Sequence, residues 1–78
     1  MNREFRDGFY TTTFVDDAEQ GFAGLELHRF CRGSKNCIAR IIFWDACGQF
    51  SVETFGAEIP LEILEELIAE TKKTIKIG

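Results

Sequence analysis

Positions 38–55 read Ile-Ala-Arg-Ile-Ile-Phe-Trp-Asp-Ala-Cys-Gly-Gln-Phe-Ser-Val-Glu-Thr-Phe, and no other stretch limits the fold as much. Two runs rich in β-branched and aromatic residues flank Asp45-Ala46-Cys47-Gly48, a type I turn composition with Asp first and Gly fourth. In the first run Ala39, Ile41 and Phe43 fall on one face, and Ile38, Ile42 and Trp44 on the other. A strand that is apolar on both faces is covered on both. The chain offers one helix, enough for one face, so the cover of the second face is the open question.

The register of this hairpin has two readings. A four-residue loop pairs Trp44 with Gln49, Ile42 with Ser51 and Arg40 with Glu53, an opposite-charge cross-strand pair. A three-residue loop with Gly48 as a left-handed bulge residue pairs Trp44 with Phe50 and Ile42 with Val52. Turn chemistry favours the three-residue loop, whereas charge pairing and face segregation favour the four-residue loop, and the balance falls slightly to the latter.

Upstream, 8–15 has strand composition throughout, with Tyr10, Thr12 and Phe14 on one face and Phe9, Thr11, Thr13 and Val15 on the other. Residues 16–21 break the pattern as a solvated loop. In 22–31, Ala23, Leu25, Leu27 and Cys31 make the better core face, interrupted by Arg29. Residues 32–36 form a basic, glycine-containing connector, and the hairpin supplies strands 37–45 and 49–55. Residues 1–7 are a flexible or edge-strand lead-in. Pro60 fits a first helical turn, and Leu61, Leu64, Leu67, Ile68, Thr71 and Ile75 recur at helical spacing over 60–76. Glutamates gather towards that helix's start, while Lys72, Lys73 and Lys76 gather towards its end, as the helix dipole prefers. The expectation is one α+β domain over 1–78: a four-stranded antiparallel meander followed by one helix laid across one face (β-β-β-β-α).

That arrangement leaves Phe30, Ile42, Trp44 and Tyr10 on the uncovered face, an apolar patch of the kind that marks an interface. A second copy of the chain is the simplest cover, since most soluble oligomers are symmetric homo-oligomers. No apolar run approaches the roughly 20 residues that span a bilayer, so no membrane segment is expected. A charged start without a signal-type apolar core, and three cysteines at irregular spacing, point to the cytosol and to free thiols. Cys31 and Cys37 bracket 32–36 and come close together if that loop is a hairpin.

Charge is segregated. Leu27 to Trp44 holds Arg29, Arg32, Lys35 and Arg40 and no acid, whereas Asp45 to Glu70 holds seven acids and no base. The basic residues together with Trp44, Phe30 and Tyr10 are a combination that stacks unpaired bases. The element order resembles that of the whirly-type and coactivator-type single-strand DNA binders, four strands then a helix, which act as dimers. The resemblance rests on order alone, and a pI near 4.9 departs from the basic stripe such binders carry. Nucleic acid is therefore the alternative partner, through the sheet face and 32–36.

Chemistry is sparse. His28 and the cysteines follow His-x2-Cys-x5-Cys-x9-Cys, with no Cys-x2-Cys knuckle, and strand residues three apart diverge, so His28 and Cys31 do not converge. Glu26 and His28, two apart, share a face and form a candidate acid–base pair, but no nucleophile accompanies them. Gly33-Ser34-Lys35 lacks the preceding glycine of a phosphate-binding loop. No enzyme activity, cofactor or metal is expected, and the reading is a homodimeric interaction or adaptor module.

Overall fold

The computed structural model describes residues 1–6 and 8–75. Five strands form one antiparallel meander in chain order: β1 (Asn2–Phe5), β2 (Gly8–Asp17), β3 (Phe22–Cys31), β4 (Ser34–Trp44) and β5 (Gln49–Thr54). Helix α1 (Leu61–Thr74) follows and lies across one face. Among the described residues no helix is long and apolar enough to cross a membrane.

The fifth strand is the addition to the expected four. Asn2 and Glu4 point to solvent, while Arg3 and Phe5 turn inward, Phe5 against the core. Four residues are too few for alternation to be read through their charges. β1 is also tied to the helix. The Met1 ammonium bonds the Thr12 hydroxyl (2.6 Å) and pairs with Glu70 (2.9 Å), and Arg3 pairs with Glu62 and Glu66. One side of the acidic helix face is thereby matched by the first strand.

The β3–β4 connection is tighter than a five-residue loop. Arg32 and Gly33 are both left-handed (φ 53° and 79°), as a two-residue hairpin turn requires, and β4 begins at Ser34. The β4–β5 register is that of the four-residue loop: Trp44 opposite Gln49, Ile42 opposite Ser51, Arg40 opposite Glu53. Gly48 is left-handed (φ 61°) and donates to Trp44 O at 2.9 Å, so its glycine serves the wider loop.

Between Leu27 and His28 the β3–β4 register slips by one residue. Leu27 faces Ala39 and His28 faces Cys37, so Ile38 is the extra residue of a bulge. Ile38 therefore joins Ala39 in the core instead of lying on the opposite face. The rest of that core is Tyr10, Leu25, Leu27 and Ile41 from the sheet, with Ile63 and Leu67 from α1.

The helix is rotated from its expected setting. Ile63, Leu67 and Thr71, spaced by four, are buried, whereas Leu61 is 70% exposed. Pro60 stands at the cap with extended geometry (φ −56°, ψ 136°), so the first helical residue is Leu61, not Pro60. Thr71 satisfies its hydroxyl on Leu67 O (2.7 Å) and can be buried without an orphaned donor. Ile75 is extended and closes the helix; the expected end at 76, with Lys76, lies outside the described residues.

Candidate functional site

Among the described residues, no element lies over the face of the sheet opposite α1. Its side chains alternate with the core set: Phe9, Thr11, Thr13, Val15 and Asp17 on β2; Phe22, Glu26, His28 and Phe30 on β3; Lys35, Cys37, Arg40, Ile42 and Trp44 on β4. Two aromatic pairs stand on this surface. Phe9 and Phe30 lie across β2–β3 with centroids 6.4 Å apart, and Phe22 and Trp44 across β3–β4 at 5.1 Å in an edge arrangement. Phe9 and Phe30 are 39% and 40% exposed, Phe22 and Trp44 half-buried.

Of the four residues expected here, Phe30 and Trp44 are present as surface. Ile42 is on this face but fully buried, because it lies across Gly24 and beneath its neighbours; it is floor, not contact surface. Tyr10 is not on this face. It is 3% exposed beneath the helix, since strand parity places it with Thr12 opposite Leu27, not with Phe9. Phe9 and Phe22 belong in its place, and the alternation that separates Phe9 from Tyr10 and joins Phe22 to Phe30 was the signal for them.

The four basic residues do not gather into one patch. Arg29 lies on the helix side and donates to Glu58 O at 3.2 Å, beside a cleft of about 390 Å³ that Arg6 and Tyr10 also line. Arg32 is in the β3–β4 turn. The Lys35 ammonium sits 5.4 Å from the Phe30 ring centroid, a cation–π contact. Arg40 holds both oxygens of Glu53 (2.9 and 3.2 Å), and that hydrogen bonding raises the guanidinium's pKa further.

In the middle of the face His28 Nε2 is 3.4 Å from Glu26 Oε1. Cys37 stands opposite His28, and donor atoms of the three side chains lie within 4.8 Å of one another. Burial pushes the Cys37 thiol's pKa up, and the Glu26 carboxylate adds to it; hydrogen bonding with the Ala39 backbone and the charge of Arg40 act the other way. Cys31, by contrast, faces the helix side opposite Ser34, so Cys31 and Cys37 are not neighbours, and all three cysteines are free. Alternation alone does not pair Cys37 with His28, because only the bulge at Ile38 sets the two opposite each other.

Comparison with known protein families, with curated proteins and with solved structures found no match for this chain.

Proposed function

We propose that the chain works as a homodimeric interaction module, in which the uncovered sheet faces of two copies meet. The carrying observation is the pair of aromatic clusters on a sheet face that no other element among the described residues covers. A sheet needs a second layer on each apolar face, and a domain with one helix supplies only one. The two largest principal extents, 38 and 21 Å, give a face of roughly 800 Å², about what each partner of a standard interface buries.

Charge favours a second copy as the occupant. Arg6, Arg32 and Lys35 lie at the end of the sheet that holds the β1–β2 and β3–β4 turns; Asp16, Asp17, Glu19 and Asp45 lie at the opposite end. A two-fold axis in the interface plane and perpendicular to the strands lays each basic end over its partner's acidic end. It also brings the Phe9–Phe30 end of one copy towards the Phe22–Trp44 end of the other. A reducing, cytosolic setting belongs to this reading and suits the three thiols.

Light scattering over about a hundredfold range of concentration tests it, because an assembly obeys mass action. The expected result is a dimer mass for the native protein and a monomer mass for Trp44→Glu and for Phe30→Glu, each with an unchanged circular dichroism spectrum. Folded variants that keep the dimer mass would overturn the proposal.

A further inference from the structure

The bulge at Ile38 has a consequence on the uncovered face. A regular β3–β4 ladder continued past Leu27 and Ala39 would set Ile38 opposite His28. The one-residue slip sets Cys37 there instead, two positions from Glu26 and on the same face. Bulges commonly re-aim a side chain next to a site. Here the side chain so aimed is a thiol, and it meets an imidazole and a carboxylate.

We propose that Glu26, His28 and Cys37 bind a zinc ion in each chain, with water in the fourth position. The donor set is one oxygen, one nitrogen and one sulfur, a borderline combination that suits zinc better than magnesium or calcium, which take oxygen shells. Three protein ligands and one open position is the pattern of an accessible zinc site. The distances fit that reading. A tetrahedron with bonds of about 2.0–2.1 Å has edges of about 3.3 Å, and His28 Nε2 already stands 3.4 Å from Glu26 Oε1. The sulfur lies within 4.8 Å of a donor atom of each, and its one side-chain torsion, about Cα–Cβ, is free to take other staggered positions.

An acid–histidine pair alone accounts for Glu26 and His28, but not for a half-buried thiol converging on them from the next strand. All three side chains are half-buried and stand on paired strands rather than on loops, which fixes their spacing. The charges also balance. The groups around the site are Glu26 and His28 on β3, Arg40 beside Cys37 on β4, and Glu53 on β5. Arg40 is neutralised by Glu53, so a divalent ion with one thiolate and one carboxylate leaves no net charge on the sheet face.

On binding, the Cys37 S–H gives its proton to solvent and Sγ forms the metal bond. His28 binds through Nε2 with its proton on Nδ1, and Glu26 binds through one oxygen. Binding therefore releases the thiol's proton, and zinc is held more tightly as pH rises.

The three donors belong to one chain, so the site stands whether or not two copies meet. The test is titration of the full-length, chelator-stripped protein with zinc by calorimetry and with cobalt by absorption. The expected result is one ion per chain and a thiolate-to-cobalt charge-transfer band in the near ultraviolet. Cys37→Ser should abolish the band. Cys37→Ser and His28→Gln should each weaken zinc by more than about 100-fold, beyond the loss an outer-shell partner gives, while Cys47→Ser leaves it unchanged. Absence of binding by the native protein, a band that survives Cys37→Ser, or zinc affinity unchanged from native in either ligand variant would overturn the site. Trp44→Glu separates it from dimerisation: a folded monomer that keeps one zinc per chain supports the site, and one that loses it refutes a site built by a single chain.

Discussion

Gly24 shows how one missing side chain shapes the uncovered face. A Cβ built there would run into the carbonyl oxygen of Ile41 and come within 2.8 Å of Ile42 Cγ2. Neither obstacle is the free end of a flexible chain: one is backbone in a paired strand, the other a branched methyl next to Cβ. Its φ is not the reason for glycine at this position; close approach of β4 is. The absence of a side chain lets Ile42 lie flat and fully buried on a face that no other described element covers. Gly24→Ala is therefore expected to destabilise the fold by about 1–3 kcal/mol, the usual cost of forcing atoms into a packed site. A lowered urea midpoint with an unchanged denaturant slope would show it. An unchanged midpoint would mean that the strands part without cost at Gly24.

At the scale of elements, the helix is held by one row of side chains four residues apart. Ile63 and Leu67 are fully buried against Leu25, Leu27 and Ile41, while Leu61 projects to solvent. Truncation should separate these positions sharply. Ile63→Ala is expected to cost about 2–5 kcal/mol, against a change within about 0.5 kcal/mol for Leu61→Ala, measured as chemical denaturation midpoints. Comparable losses at both would put the helix in the rotation that its heptad-like leucines suggest. That contrast also marks how far the letters could be read. The meander and the helix were legible from alternation and helical spacing; the 38–55 register was legible from face segregation and the Arg40–Glu53 pair, against turn chemistry that favoured the shorter loop. The helix rotation was not, because Leu61, Leu64 and Ile63 are equally apolar and only the opposing surface chooses among them. β1 was legible only as an edge strand or a flexible lead-in, because the carboxylates that fix Arg3, those of Glu62 and Glu66, lie some sixty residues away on the helix. The Glu26–His28–Cys37 group was hidden for a different reason. A bulge changes strand parity without changing composition, and adjacent apolar residues at Ile38 and Ala39 were its sole trace.

For the whole molecule, the net charge of −4 conceals a division along the strands. The turns at one end carry Arg6 and Arg32, with Lys35 close by and Glu4 the opposing acid on β1; those at the other carry Asp16, Asp17, Glu19 and Asp45. Lys72 and Lys73 share the acidic end but stand on the helix, across the sheet from the uncovered face. Two copies meeting face to face with strands antiparallel bring unlike ends together. With strands parallel they would set like against like. The apolar clusters supply attraction in either orientation, so charge selects between them. Dimer affinity should accordingly fall as salt rises from about 0.05 to 0.5 M, over which the screening length shrinks from about 14 to about 4 Å. An interface held by apolar contact alone would hold or tighten instead. Reversing one end by Arg32→Glu with Lys35→Glu should weaken the dimer by about 3- to 30-fold, on the ~0.2–1 kcal/mol that an exposed charge contact contributes and its repetition by symmetry. Adding Asp17→Lys with Asp45→Lys to the same chain restores unlike ends and should recover most of the loss. Recovery distinguishes pairing between ends from a general effect of net charge, since both reversals together return that charge close to its starting value while the second pair alone moves it the opposite way. Sedimentation equilibrium on the four proteins reads the outcome directly, and a quadruple variant no tighter than the first pair would leave the antiparallel arrangement without electrostatic support.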